Sequence, residues 1–143
     1  MPPLPSPKLA GVHPDLVRKV HTILGAMAAR GYPMIVTDGV RTAQQQIMLY
    51  AKGRSAPGRI VTHADGLKKR SNHQVRLPPS LYAGFGCAVD CCFLDEKGRP
   101  TWDIRYPWAD YGAEARALGL VWGGDWKALR DMPHIELPEE LTP

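Results

Sequence analysis

Gly86-Cys87-Ala88-Val89-Asp90-Cys91-Cys92-Phe93-Leu94 decides the fold. The run is small or apolar almost throughout and is closed by the turn-forming Asp95-Glu96-Lys97-Gly98, so it reads as a buried strand. Its one carboxylate is Asp90, and an acid in a buried strand is costly unless it is paired or binds a metal. Two flanking segments offer partners: Ser71-Asn72-His73 upstream and Asp131-Met132-Pro133-His134-Ile135-Glu136 downstream. Two histidines and an aspartate from separate segments give three protein ligands and leave the fourth position open, as catalytic zinc requires. Asp131 then remains to handle protons.

Alternation along the strand places Cys87, Val89, Cys91 and Phe93 on one face and Ala88, Asp90 and Cys92 on the other. Three clustered cysteines do not make a disulfide framework, and they read as small apolar filler.

Working outward, His13-Pro14-Asp15 opens a helix with apolar positions at Leu16, Val17, Val20, Ile23, Leu24 and Met27, ending at Gly31. Met34 to Thr37 is a short strand. Thr42 caps a second helix that stops at Gly53. Residues 54–66 are loop, with an extended piece at Ile60-Val61-Thr62. A third helix spans Trp108 to Leu118, and Val121-Trp122 and His134 to Leu137 are the last strands. Helices and strands do not alternate regularly and their links are short. The expected fold is therefore α+β, one domain over residues 1–143, with a small antiparallel sheet flanked by helices. Residues 1–8 and 138–143 read as loose tails.

With 143 residues the chain can bury its own core. No apolar stretch approaches the roughly 18 residues of a membrane span. A formal charge of +4 favours acidic partners. Lys68-Lys69-Arg70 is the one basic cluster, and without interleaved aromatics it reads as a solvated turn and not as a nucleic-acid footprint. His13, His21 and His63 read as structural or solvated, and Trp122 and Trp126 as core.

Ser71-x-His73, Gly86-x-Ala88-Val89-Asp90 and Asp131-x-x-His134-x-Glu136 together resemble the zinc-dependent peptidoglycan peptidases. These include D-alanyl-D-alanine carboxypeptidases and the L-alanyl-D-glutamate peptidases used as phage endolysins. Leu9-Ala10-Gly11-Val12-His13-Pro14 and Gly39-Val40-Arg41-Thr42 with Gln46, Leu49-Tyr50-Ala51 and Gly53-Arg54 are similar to further family segments. Trp122-Gly123-Gly124-Asp125-Trp126 is similar to the endolysin branch. The resemblance runs from about Leu9 to Leu137 and implies a hedgehog/D-Ala-D-Ala-peptidase-like fold. One departure stands out: residues 74–85 intervene where the family spaces its histidine and glycine closely, so they read as an inserted loop, with His63 the competing histidine.

The resemblance implies one Zn²⁺ per chain on His73, Asp90 and His134, with Asp131 as general base and then general acid. It implies Arg41 holding a substrate carboxylate, with Ser71 and Gln46 hydrogen-bonding the peptide. Glu136 shares strand parity with His134 and would orient it. The partner implied is the peptidoglycan stem peptide, met by a monomer without nucleic acid or membrane insertion. No basic-then-apolar leader is visible, so the expectation is synthesis in the cytoplasm and action on the wall after holin-type release or lysis. An L-alanyl-D-glutamate endolysin is the leading reading. The alternatives are a D-alanyl-D-alanine carboxypeptidase, a non-catalytic zinc-containing wall-binding relative, and a basic nucleic-acid-binding protein.

Overall fold

The computed structural model describes residues 6–139. The loose ends expected from the sequence fall largely on residues 1–5 and 140–143, outside the described residues. Ser6 caps a single 3₁₀ turn, Pro7–Leu9, which buries Leu9. Helix α1, Pro14–Ala29, follows; His13 accepts a hydrogen bond from the Asp15 N–H through Nδ1, and Pro14 occupies the first helical position. Leu16, Val20, Ile23 and Met27 form its buried stripe.

Strand β1 is Met34–Asp38 and helix α2 is Ala43–Ala51. Thr42 and Gln45 close a reciprocal capping box at the start of α2, which fixes the chain immediately after Arg41. Residues 54–66 are loop, and the expected extended piece at Ile60-Val61-Thr62 forms no strand. Strand β2, Ala88–Leu94, comes next, followed by the Asp95–Gly98 turn and a two-residue strand β3, Pro100–Thr101, which the sequence did not announce. Helix α3, Trp108–Ala117, strand β4, Val121–Trp122, a 3₁₀ turn, Gly123–Asp125, and strand β5, His134–Glu136, complete the order.

The antiparallel sheet runs β1-β2-β5-β4, with β3 on the far half of β2. Val89, Cys91, Phe93 and Ile135 join the stripe of α1 and Trp108, Tyr111 and Ala115 of α3 in one apolar cluster. The alternate residues of the same strands, Asp90, His134 and Glu136, therefore point to the opposite face. The sheet thus has a greasy side under the helices and a chemical side facing a cleft.

Residues 74–85 contain turns and no helix or strand. The loop is tied at its neck, where Arg76 N–H bonds Phe85 C=O and Gly84 N–H bonds Arg76 C=O, both at 2.9 Å. Tyr82 and Phe85 meet the His13 ring edge-on at 5.1 and 5.2 Å. The tip of the insert thereby rests on the start of α1.

Candidate metal centre and active-site cleft

Register brings the site together. Asp90 on β2 lies directly opposite His134 on β5, and Ala88 opposite Glu136. On the other edge of β2, a bulge between Val36 and Asp38 shifts the pairing so that Asp38, not Thr37, stands opposite Asp90. A row Asp38–Asp90–His134 thus crosses three strands. His73 arrives from the loop before β2, held by a hydrogen bond from Arg41 N–H to its carbonyl and by Ser71 Oγ, which accepts from its N–H at 3.1 Å.

Three side-chain atoms converge. His73 Nε2 is 3.2 Å from His134 Nδ1, and Asp90 Oδ1 is 3.4 and 3.3 Å from those two nitrogens. A tetrahedral ion with bonds of about 2.0–2.1 Å sets its ligands roughly 3.3–3.4 Å apart, so the triangle has the size such an ion needs. The ring nitrogens that face away are engaged: His73 Nδ1 with the Gly39 carbonyl at 2.8 Å, His134 Nε2 with Glu136 Oε1 at 2.7 Å. Both partners are acceptors, so in the neutral rings each outer nitrogen carries the proton and each inner nitrogen presents its lone pair. Asp90 Oδ1 is buried and makes no hydrogen bond. Two lone pairs and an orphaned carboxylate oxygen aimed at one point fit a cation.

Electrostatics tell the same story. Burial opposes ionisation of Asp90, but the imidazoles outweigh it and hold the carboxyl well below the usual carboxylate range. Burial also disfavours a charged His134, yet Asp90 and Glu136 win and raise it to about 9. Without a metal, the cluster draws in a proton instead.

Glu136 is itself fixed, since its Oε2 accepts from Asn72 Nδ2 at 2.5 Å and Asn72 Oδ1 accepts from Arg76 at 2.9 Å. Asn72 lies inside the Ser-x-His segment but offered no sequence signal of its own. Asp131 sits beside the cluster with Oδ2 3.9 Å from His134 Nδ1 and a side chain 42% exposed. Its carboxyl is raised above the ordinary value, chiefly by burial and then by the charge of Asp90. Gly123 makes this placement possible: a Cβ there would overlap the Asp131 carbonyl oxygen, whose turn accepts the His134 N–H.

A cleft of about 560 Å³ opens over these groups, lined among others by Arg41, Ser71, His73, Trp126, Asp131 and His134. Arg41 reaches it already engaged, its Nε donating to Asp38 at 2.7 Å, with Gln46 Oε1 at 3.2 Å and Asp90 Oδ2 at 3.4 Å. Gln46 is fully buried, and its amide also donates to Thr62 and Ala64, so it steadies Arg41 and does not line the cleft. His63 lines the cleft, but it is His73 that converges with Asp90 and His134. Trp122 is core as expected, whereas Trp126 lies partly open in the cleft wall with its ring 4.9 Å from that of His134.

Residues 65–137, which hold the whole triangle, match the family model described as D-alanyl-D-alanine carboxypeptidase. The peptidoglycan L-alanyl-D-glutamate endopeptidase CwlK of Bacillus subtilis (strain 168) is 31% identical over 143 positions, covering 94% of this chain and 76% of the relative. The chain belongs to the zinc-dependent peptidoglycan peptidase family. Among solved structures, the L-Ala D-Glu endopeptidase ChiX of Serratia marcescens matches with a TM-score of 0.58 and 29% identity, covering 92% of this chain and 84% of that one. The vancomycin-resistance D,D-dipeptidase VanXYg (TM-score 0.57, 16% identity, 88% of this chain and 50% of that one) shares the fold. So does the LD-carboxypeptidase LdcB (TM-score 0.55, 18% identity, 93% and 68%). This peptidoglycan peptidase is accordingly a metallopeptidase, with a His-Asp-His set able to hold its metal. No helix among its described residues is long and apolar enough to cross a membrane.

Proposed function

We propose that this chain is a zinc enzyme that hydrolyses the L-alanyl–D-glutamate bond of peptidoglycan stem peptides. The observation that carries the metal reading is the triangle of His73 Nε2, Asp90 Oδ1 and His134 Nδ1, its lone pairs aimed inward by Gly39 and Glu136. The choice of bond is supported by likeness to CwlK and ChiX, both named for that bond.

When bound, Zn²⁺ supplies Lewis acidity and lowers the pKa of water. The chain's own groups do the rest. Asp131, beside the cluster and open to the cleft, takes a proton from the attacking water and returns it to the departing amine. Arg41, fixed by Asp38 and Gln46, turns its guanidinium toward a substrate carboxylate. Ser71 Oγ accepts from the His73 N–H, which leaves its O–H to donate to a peptide carbonyl. Gln46 acts through Arg41. We take the chain to act as a single-domain monomer. A phage-type lytic role is the narrower form of the reading, and it rests on the Trp122–Trp126 segment.

Digestion of purified peptidoglycan with mass analysis of the fragments tests the bond. New N-terminal D-glutamate is the expected product. Released free D-alanine would transfer the enzyme to the second reading, a D-alanyl-D-alanine carboxypeptidase, which the description of the matching family model favours.

A further inference from the structure

The Lys68-Lys69-Arg70 cluster has a position that its sequence did not disclose. Lys69 and Arg70 stand on the wall of the catalytic cleft, and Lys52, at the end of α2, joins them there. All three are exposed, and among the described residues none has a carboxylate within ion-pair distance. Arg70 donates only to the Val75 carbonyl, at 2.8 Å.

The other charges of the cleft have partners within the chain. Arg41 is matched by Asp38 and Asp90, and Glu136 by His134 and Asn72. Asp131 is the cleft's remaining acid. The cleft wall at Lys52, Lys69 and Arg70 therefore carries positive charge without an ion-pair partner among the described residues, and a cleft focuses such a field on whatever enters.

We propose that Lys52, Lys69 and Arg70 form a carboxylate-reading wall that makes the enzyme select stem peptides with free carboxylates over those in which they are amidated. The inference rests on the L-alanyl–D-glutamate reading above. A γ-linked D-glutamate leaves its α-carboxylate free beside the scissile bond, and the next diamino acid can carry another. Amidation keeps the shape of these groups and removes the charge, so the cleft distinguishes the two by electrostatics alone.

The test uses paired synthetic stem peptides that differ only in carboxylate against carboxamide at these positions. Specificity, kcat/KM, is measured for the zinc-loaded wild type, for Lys69→Gln/Arg70→Gln and for Lys52→Gln, at low and high salt. The wild type is expected to favour the acid form by about three- to tenfold, the range that a few exposed charge pairs support. High salt should shrink that ratio, and the Lys69→Gln/Arg70→Gln variant should lower it about twofold or more, leaving the part that Arg41 supplies. Lys97→Gln, on the turn after β2, should keep the wild-type ratio.

Equal cleavage of both peptides by the wild type would overturn the proposal. So would a variant effect confined to whole walls carrying anionic phosphate polymers, since the wall would then serve a different partner. Fragment masses keep the two readings apart: cleavage at another bond with the acid preference intact would count against the bond assignment and not against the wall.

Discussion

Asp131 and Glu136 flank His134 and do different work. Glu136 holds the outer nitrogen of His134 at 2.7 Å, while Asp131 stands 3.9 Å from the inner one, too far for a hydrogen bond and open to the cleft. Asp131→Asn should therefore keep the metal and lose turnover by roughly 10²–10⁴, the usual worth of a positioned base; steady-state kinetics beside metal analysis check both halves. Glu136→Ala should instead weaken metal affinity or activity about 10- to 100-fold, because His134 loses the partner that sets its tautomer. Competition with a chromogenic chelator reads that change. The triangle itself was legible in the sequence, since Asp90 is a lone acid in an apolar strand and both histidines sit in recognisable settings. What holds it was less legible. The Gly39 carbonyl is a backbone group 34 positions from His73, and the burial of Gln46 follows from packing between α2 and the 62–64 loop, which carries no periodic signal.

The elements carry the site through register and close approach. Alternation in β2 gave the correct face for Asp90 because the period of a strand is two and β5 pairs with it regularly through Ala88, Val89 and Asp90. The bulge that brings Asp38 to Asp90 was not readable, as nothing in Val36-Thr37-Asp38 marks which residue is extruded. Strand β3 was missed because two residues leave no pattern. Gly123 opens a single 3₁₀ turn, Gly123–Asp125, and Gly123→Ala forces its new Cβ against the Asp131 carbonyl and displaces the turn to His134. That substitution should cost about 1–3 kcal/mol of stability and lower activity together with metal affinity, checked by denaturant melts and metal titration on the same sample. Thr42→Ala should cost about 1 kcal/mol by removing the α2 cap, with a smaller effect on metal content, since the cap secures Arg41 and no ligand.

For the whole molecule, the apolar side of the sheet folds the chain and the opposite side concentrates charge that only a cation settles. In metal-free protein that cation is a proton, on a His134 raised to about 9 by Asp90 and Glu136 over the opposing effect of burial. A group with a raised folded pKa adds stability that is complete below its unfolded value, about 6.5 for histidine, and fades as pH climbs through the folded one. Chelated protein should thus lose thermal stability between about pH 6.5 and 9, while loaded protein should hold steady because the metal replaces the proton. Melting curves across that interval, with and without chelator, check it; parallel curves would count against a shared site. The most direct measurement is metal stoichiometry by native mass spectrometry on wild type, His73→Ala and His63→Ala. One zinc per chain is expected in the wild type and in His63→Ala, and none in His73→Ala. Zinc retained in His73→Ala but lost from His63→Ala would contradict the assignment on which the account stands.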